Sequence, residues 1–212
     1  MPIEFHRLIE RLALRLQQPL PGATAHEPLR AVAIGDLRPT FEHRTPPKPG
    51  SVIILLYADD GKIKFPLTKR PDYVGTHGGQ VSFPGGKAEP GETIEQTAVR
   101  EAEEEIGVQG SNIELIGRLS EFFVIPSNFI VTPVVAWQRT KPVFVPDPVE
   151  VVKVLECSLE ELLKKDAIHV KDIIAARKYQ LTAPHFVFED EIVWGATAMM
   201  LNEFRTVLQE VL

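Results

Sequence analysis

The sequence predicts an α/β fold in which a mixed β-sheet carries helices on both faces. The apolar run 52–56 is of the buried-strand type, and 130–138 is predicted to be a further strand. A strand, a glycine-rich loop and a helix are expected in that order over 80–107. With 212 residues, 44% of them hydrophobic, the chain can bury one good core. We therefore expect an N-terminal helix and connector over 1–50 and one main domain over 51–212.

The N-terminal helix is predicted by apolar residues at helical spacing, namely Phe5, Leu8, Ile9, Leu12 and Leu16. Its apolar face is expected to pack on the main domain or on a second subunit, so the sequence allows a homodimer. Four prolines in 39–50 cannot continue a helix and predict an extended connector. A turn at Asp59–Gly61 then joins strands 52–56 and 62–68.

The remaining elements follow from similar local patterns. Further strands are predicted at 80–83, 113–125, 130–138 and 150–156. Ser158 is expected to cap a short helix that contains Leu162 and Leu163. The segment 168–193 is expected to be rich in strands, and 196–212 has the apolar spacing of a long amphipathic helix.

Composition excludes several classes of protein. The net charge of −6 argues against a broad nucleic-acid surface, although a local basic patch could still bind a phosphorylated small molecule. No apolar run is long enough to cross a bilayer, and charges are spread through the first 16 residues, unlike a secretory signal. Cys157 is alone, which excludes an intramolecular disulfide and fits a reducing compartment. We expect a cytoplasmic protein without membrane or nucleic-acid partners.

Gly86 to Val108 hold the most specific pattern of the chain, GKAEPGETIEQTAVREAEEEIGV. They fit G-x5-E-x7-R-E-U-x-E-E-x-G-U, where U is a bulky apolar residue, at every fixed polar or glycine position. Ala102 is smaller than the apolar residue usual at its position. Thr93 and Gln96 predict a capping box at the start of the helix, and Gly107 predicts its end.

Three carboxylates share one face of this helix. At about 100° per residue, Glu101, Glu104 and Glu105 fall within one sector, and Glu103 lies roughly opposite. Unpaired carboxylates on adjacent turns repel one another, so divalent cations would stabilise the arrangement. Hard oxygen ligands suit Mg²⁺ or Mn²⁺. The alternative is an ordinary glutamate-rich surface helix, which the flanking glycines and Glu92 at fixed spacing disfavour.

This pattern resembles the Nudix box, and the chain resembles the Nudix hydrolases, enzymes that split diphosphates linked to another moiety. The resemblance implies an α/β/α sandwich. It also implies that Glu101, Glu104 and Glu105 bind metal, with the backbone carbonyl of Gly86 as a further ligand. Arg100 would hold a carboxylate in place by bidentate hydrogen bonds.

The residues upstream resemble the signature of the coenzyme A (CoA) diphosphatase branch of that family, roughly L-L-T-x-R-[SA]-x3-R-x3-G-x3-F-P-G-G. The agreeing positions are Leu67, Thr68, Arg70, Gly79 and 83–86. The departing positions are Pro66, Pro71 and Gly75. Gly75 stands where the signature has an arginine, so one cation that could bind phosphate is missing.

Several of these residues are candidates for binding substrate. Arg70 and Lys69 could hold the 3′-phosphate or the diphosphate of an ADP-type ligand, and a solvated basic pair is the alternative. His77 could donate to phosphate, orient the loop, or make a structural hydrogen bond. Gly85, in a paired-glycine loop, would let the backbone approach the ligand.

The chemistry expected from the resemblance is attack of water on a phosphorus atom of a diphosphate. Two residues are candidates for the general base, Glu101 and Glu150. CoA or acyl-CoA is the leading substrate, with 3′,5′-ADP and 4′-phosphopantetheine as products of CoA. ADP-ribose or another nucleoside diphosphate derivative is the second hypothesis. A catalytically silent nucleotide-binding module is the third.

Overall fold

The computed structural model describes residues 3–37, 40–72 and 78–212. Within them lie five α-helices: α1 (Ile3–Arg15), α2 (Ala23–His26), α3 (Ile94–Ile106), α4 (Leu159–Leu163) and α5 (Gly195–Val211). The same ranges contain twelve strands: β1 (Val32–Ala33), β2 (Lys48–Asp59), β3 (Lys62–Lys69), β4 (Val81–Ser82), β5 (Gly85–Lys87), β6 (Glu114–Arg118), β7 (Phe122–Val124), β8 (Phe129–Trp137), β9 (Lys153–Ser158), β10 (His169–Ala175), β11 (Tyr179–Phe188) and β12 (Glu191–Trp194).

Eight of these strands form the main sheet, in the order β4-β3-β2-β8-β6, with β5, β7 and β9 pairing with β2, β8 and β3. Strands β2 and β8 run parallel over Lys48 to Leu56, whereas the other pairs that the structure describes are antiparallel. The sheet is therefore mixed, as the sequence predicts. Strand β5 brings Gly85 and Gly86 alongside the beginning of β2.

Helices cover both faces of the main sheet, which confirms the predicted sandwich. Ala98, Ala102 and Ile106 of α3 pack against one face, on Ile53 of β2 and its neighbours. The small Ala102 is fully buried there. Helices α1 and α5 pack against the other face, where alternate strand residues such as Ile54 point. This alternation arises because successive strand side chains point to opposite faces.

A second sheet has four strands, of which β1 precedes the main sheet in the chain and β10, β11 and β12 follow it. Strand β11 pairs with β1, β10 and β12, all antiparallel. The prediction of a strand-rich segment over 168–193 is confirmed. The pairing with β1 was not predicted, because Val32–Ala33 is too short to show a periodic pattern.

Two predicted strands differ from those observed. The predicted strand 113–125 is divided into β6 and β7 by a turn in which Ser120 bonds to helix α5. The predicted strand 150–156 begins at Lys153, because the N–H groups of Glu150 and Val151 both donate to the carbonyl of Asp147 and close a turn. Glu150 therefore lies in this turn and does not open the strand.

Helix α1 belongs to the same core as α5. Phe5, Leu8 and Leu12 are buried, and the Phe5 ring packs edge-on against Trp137 at 5.8 Å. The division of the chain into 1–50 and a main domain over 51–212 stays a prediction. Strand β2 of the main sheet begins before that boundary, at Lys48. No helix among the described residues is long and apolar enough to cross a membrane.

A buried carboxylate ties the N-terminal segment to helix α5. Glu203 is 0% exposed and accepts hydrogen bonds from His26 Nε2 at 2.9 Å, from the Gly22 N–H at 2.9 Å and from Ser120 Oγ at 2.6 Å. Because buried charge is costly unless hydrogen-bonded, these donors are needed to keep Glu203 inside the fold.

Candidate active site

Helix α3 holds the acidic face in a fixed position. The Thr93 hydroxyl accepts from the Gln96 N–H at 3.2 Å, and the Gln96 side chain accepts from the Thr93 N–H at 2.8 Å, so the predicted capping box is present. Gly107 ends the helix with φ of 70°, in the left-handed region that favours glycine. Both predicted ends of the helix are therefore confirmed.

The three carboxylates of this face have different surroundings. The side chain of Glu105 is 2% exposed, that of Glu101 14% and that of Glu104 61%. Glu101 lies directly on Gly86, where an added Cβ would come within 2.5 Å of its Oε2. Glu105 accepts the Gly85 N–H at 3.2 Å. The paired glycines thus let two carboxylates approach the backbone of β5.

Arg100 organises the outer part of the cluster. Its Nε donates to Glu92 at 2.6 Å, and its Nη1 donates at 2.9 Å to both Glu101 and Glu104. Its Nη2 reaches Glu92 and the Lys87 carbonyl, each at 3.1 Å. The hydrogen bonds from Arg100 lower the pKa of Glu92 to about 2. The guanidinium therefore positions Glu101 and Glu104 from the side of Glu92.

Arg70 reaches the buried end of the cluster. Its Nη2 lies 3.2 Å from Glu105 Oε1, although the two residues are 35 positions apart. Burial raises the pKa of Glu105 to about 7, against the opposing effects of Arg70 and the Gly85 N–H. Burial also raises the pKa of Glu101, and Glu150 adds to the increase at both glutamates. The turn that contains Glu150 begins at Asp147, whose N–H donates to the Glu105 carbonyl at 3.0 Å, so this turn is anchored beside the cluster.

Comparison with known proteins identifies the family of this chain. The model of the NUDIX domain matches residues 47–177. The chain belongs to the Nudix family. Nudix hydrolase 3 of Caenorhabditis elegans is 34% identical over 174 residues, which are 74% of this chain and 72% of that protein. An uncharacterized Nudix hydrolase of Photorhabdus laumondii, NudL, is 28% identical over 187 residues, 84% of this chain and 99% of that protein.

A solved structure supports the Nudix fold. The Nudix hydrolase RenU of M. smegmatis superposes with a TM-score of 0.56 at 16% identity, covering 79% of this chain and 89% of that one. At this level of identity the likeness concerns the fold alone. The match of the family model and the similarity to Nudix hydrolase 3 make the present chain a Nudix hydrolase, with its Nudix box on β5 and α3.

The donor set of the Nudix box fits a hard divalent cation. Glu101, Glu104 and Glu105 offer carboxylate oxygens of the kind that Mg²⁺ and Mn²⁺ bind, and Gly86 lets Glu101 approach the backbone. In the described ranges, however, no three acidic, histidine or cysteine side chains converge into a ready-made metal site. Arg100 and Arg70 hold the carboxylates in ion pairs instead.

The remaining predicted residues are distributed around this cluster. Lys69 donates to Glu191 of β12 at 2.7 Å, so its ammonium group is engaged by the second sheet. Glu150 lies in an exposed turn between the loop after β8 and strand β9. His77 falls outside the described residues. The assignments of Lys69, Glu150 and His77 stay predictions, as do the roles assigned to the other candidate site residues.

Sequence reasoning missed how the loop after β8 is attached to the site. The N–H groups of Val145 and Asp147 donate to the carbonyls of Ile106 and Glu105 at the end of α3, at 2.9 and 3.0 Å. The prolines in 142–148 are the signal that could have indicated an extended, stiff segment here. The prolines do not indicate which part of the fold this segment contacts.

Glu103 provides a test of which face of helix α3 carries the functional carboxylates. Its carboxylate accepts the Gly110 N–H at 2.8 Å, away from the cluster. Glu103→Gln is expected to keep kcat/KM within about twofold of the wild type, because the amide oxygen can still accept this bond and surface changes rarely exceed about 0.5 kcal/mol. Steady-state kinetics checks this. A loss as large as that of a metal-ligand variant would show that the face is assigned wrongly.

Proposed function

We propose that this Nudix hydrolase cleaves the diphosphate of CoA or an acyl-CoA, producing 3′,5′-ADP and 4′-phosphopantetheine or its acyl derivative. The observation that carries the proposal is the 3.2 Å contact between Arg70 and Glu105. Arg70 belongs to the upstream residues that resemble the CoA diphosphatase signature, and this contact joins them to the acidic face of the Nudix box. The signature and the carboxylates would therefore act on one substrate.

In the proposed reaction, a water oxygen attacks one phosphorus of the diphosphate. The bond from that phosphorus to the bridging oxygen breaks, and the leaving phosphate keeps the electron pair. Glu101, Glu104 and Glu105 would hold the metal, and Arg100 keeps Glu101 in position. When bound, Mg²⁺ or Mn²⁺ would stabilise negative charge on the phosphate groups and lower the pKa of water.

The proton of the attacking water passes to a carboxylate, and Glu150 is the candidate that we favour. Among the described residues, no cation is paired with its side chain, whereas Arg100 holds Glu101. Its influence on the pKa values of Glu101 and Glu105 supports a position beside the cluster. A free carboxylate within reach of the substrate water is what a general base requires. Glu101 is the alternative.

The test is a hydrolysis panel containing CoA, dephospho-CoA, ADP-ribose, NADH and diadenosine polyphosphates, with Mg²⁺, with Mn²⁺ and with chelator. Products are identified by mass in ¹⁸O-labelled water, which marks the phosphorus that was attacked. We expect metal-dependent formation of 3′,5′-ADP from CoA at the highest kcat/KM of the panel. Brisk cleavage of ADP-ribose beside negligible cleavage of CoA would favour the second substrate, consistent with Gly75 replacing an arginine. No turnover at all would favour a silent binding module.

Arg70→Ala is expected to lower kcat/KM for CoA and dephospho-CoA by similar factors, about 10- to 150-fold. The sequence suggests either the 3′-phosphate or the diphosphate as the partner of Arg70. Its contact with Glu105 favours the diphosphate, because that group must lie at the metal-binding carboxylates. Measuring kcat/KM for CoA and dephospho-CoA, in the wild type and in Arg70→Ala, distinguishes the 3′-phosphate from the diphosphate as the partner of Arg70.

Arg139→Ala is the matched control for this charge change, since Arg139 is exposed and pairs with Glu114. We expect it to change neither rate by more than about twofold. A loss confined to CoA in Arg70→Ala would assign Arg70 to the 3′-phosphate. Unchanged rates on both substrates would remove Arg70 from the substrate site.

A further inference from the structure

A stiff segment with four exposed valines borders the proposed active site. Val143, Val145, Val149 and Val152 are each between 61% and 80% exposed. The segment that carries them, 142–152, contains three prolines. Its other two apolar residues besides the prolines point inward: Val151 is buried, and the Phe144 ring packs against Tyr57 at 5.8 Å. Apart from Glu150, the exposed residues of the segment are valines and prolines, so its outward side is mostly aliphatic.

Backbone hydrogen bonds fix this segment on both sides of the Arg70–Glu105 pair. At one end, the Asp147 N–H donates to the carbonyl of Glu105 itself at 3.0 Å. At the other end, the Val152 N–H donates at 2.9 Å to the carbonyl of Lys69, the residue before Arg70. Val149 and Val152 thus flank Glu150 at the margin of the carboxylate cluster. Both valines therefore belong to a segment that is anchored to Glu105 and to the residue before Arg70.

The chemistry of this surface indicates what it contacts. Exposed apolar side chains grouped beside a polar site are typical of ligand contacts. A nucleobase would be expected to stack on an aromatic ring. The one aromatic residue of the segment, Phe144, is engaged with Tyr57 instead. The valines therefore suit the aliphatic part of a substrate whose diphosphate lies at Glu101 and Glu105.

We infer that Val149 and Val152 contact the aliphatic arm of the substrate and make kcat/KM increase with the length of an attached acyl chain. This inference rests on the proposed CoA or acyl-CoA activity. It adds the residues by which the enzyme would distinguish an acyl-CoA from CoA itself. The diphosphate contacts are common to all these substrates, so they cannot provide that distinction.

The test compares kcat/KM for CoA, acetyl-CoA, hexanoyl-CoA and decanoyl-CoA in the wild type and in Val149→Ser/Val152→Ser. We expect the wild-type value to increase with chain length. The variant should lose roughly tenfold on decanoyl-CoA, since each buried methylene contributes to binding, and less than about threefold on CoA. The loss should appear mainly in KM, and Val149→Ile/Val152→Ile should retain the chain-length dependence.

Val170→Ser/Ile174→Ser is the matched control, because both residues are exposed aliphatics on β10 of the second sheet. This variant should have the wild-type kcat/KM for CoA and for each acyl-CoA. If CoA esters are cleaved but the valine variant keeps the wild-type chain-length dependence, the inference is wrong while the proposed function stands. If no CoA compound is cleaved, the proposed function itself fails. A change of oligomeric state in sedimentation, with equal losses on all esters, would make the valines a contact between copies and overturn the inference.

Discussion

Glu105→Gln is expected to lower kcat/KM at least about a hundredfold at saturating Mg²⁺ while the fold survives. A neutral amide binds Mg²⁺ poorly, and the 2% exposure of Glu105 leaves little room for solvent to replace the carboxylate. The amide oxygen can still accept the Gly85 N–H, so the shape of the site is kept. Steady-state kinetics measures the loss of kcat/KM, and titration of free Mn²⁺ by electron paramagnetic resonance separately measures the loss of metal binding.

The stability of this variant without metal provides a second measurement. Burial raises the pKa of Glu105 to about 7, above its ordinary value of 4.5. The folded state therefore favours the protonated form, and ionisation destabilises it progressively as pH rises from about 4.5 to 7. Glu105→Gln removes that cost, so its unfolding temperature at pH 8 should not fall below that of the wild type. Near-normal turnover together with unchanged Mn²⁺ binding would contradict the assignment of Glu105 as a metal ligand.

Glu203→Ala is expected to lower the free energy of unfolding by about 3–5 kcal/mol. The substitution leaves His26, Ser120 and the Gly22 N–H without their acceptor in the interior. Urea denaturation measures the loss. Glu210→Ala is the control on the same helix, because Glu210 forms a more exposed ion pair with Arg15 and should cost less than about 1 kcal/mol. A loss at Glu203 no larger than that at Glu210 would contradict the structural role of this network.

The coupling of Glu203 to His26 can be measured with a double-mutant cycle. The losses of unfolding free energy in His26→Ala and Glu203→Ala should sum to more than the loss in the double variant, by over about 1 kcal/mol, because either substitution breaks the same contact. Burial alone would raise the pKa of Glu203, but hydrogen bonds from His26, Ser120 and Gly22 outweigh it and lower the pKa below 4.5. This contribution to stability is present above pH 4.5 and is lost as pH falls through the lowered pKa. The difference between wild type and Glu203→Ala should shrink accordingly below about pH 4.5.

Sequence alone was sufficient wherever neighbouring residues decide the structure. The spacing of Thr93, Gln96 and Gly107 predicts both ends of helix α3, because capping involves residues three or four positions apart. Helical periodicity likewise places Glu101 and Glu105 together, since a helix repeats every 3.6 residues whatever surrounds it. Apolar runs predict the strands of the core in the same way. These local patterns also carry the match to the Nudix family.

Tertiary structure decided every contact between distant segments. The register of β2 with β5 sets Gly86 beneath Glu101, and the pairing of β3 with β2, on which α3 packs, brings Arg70 to Glu105. The pairing of Lys69 with Glu191 likewise depends on the second sheet. No spacing in the sequence encodes such contacts, because they depend on how sheets and helices pack. The sequence by itself therefore determined the family, the acidic helix and its ends, whereas packing decided which cations meet those carboxylates and which surface borders them.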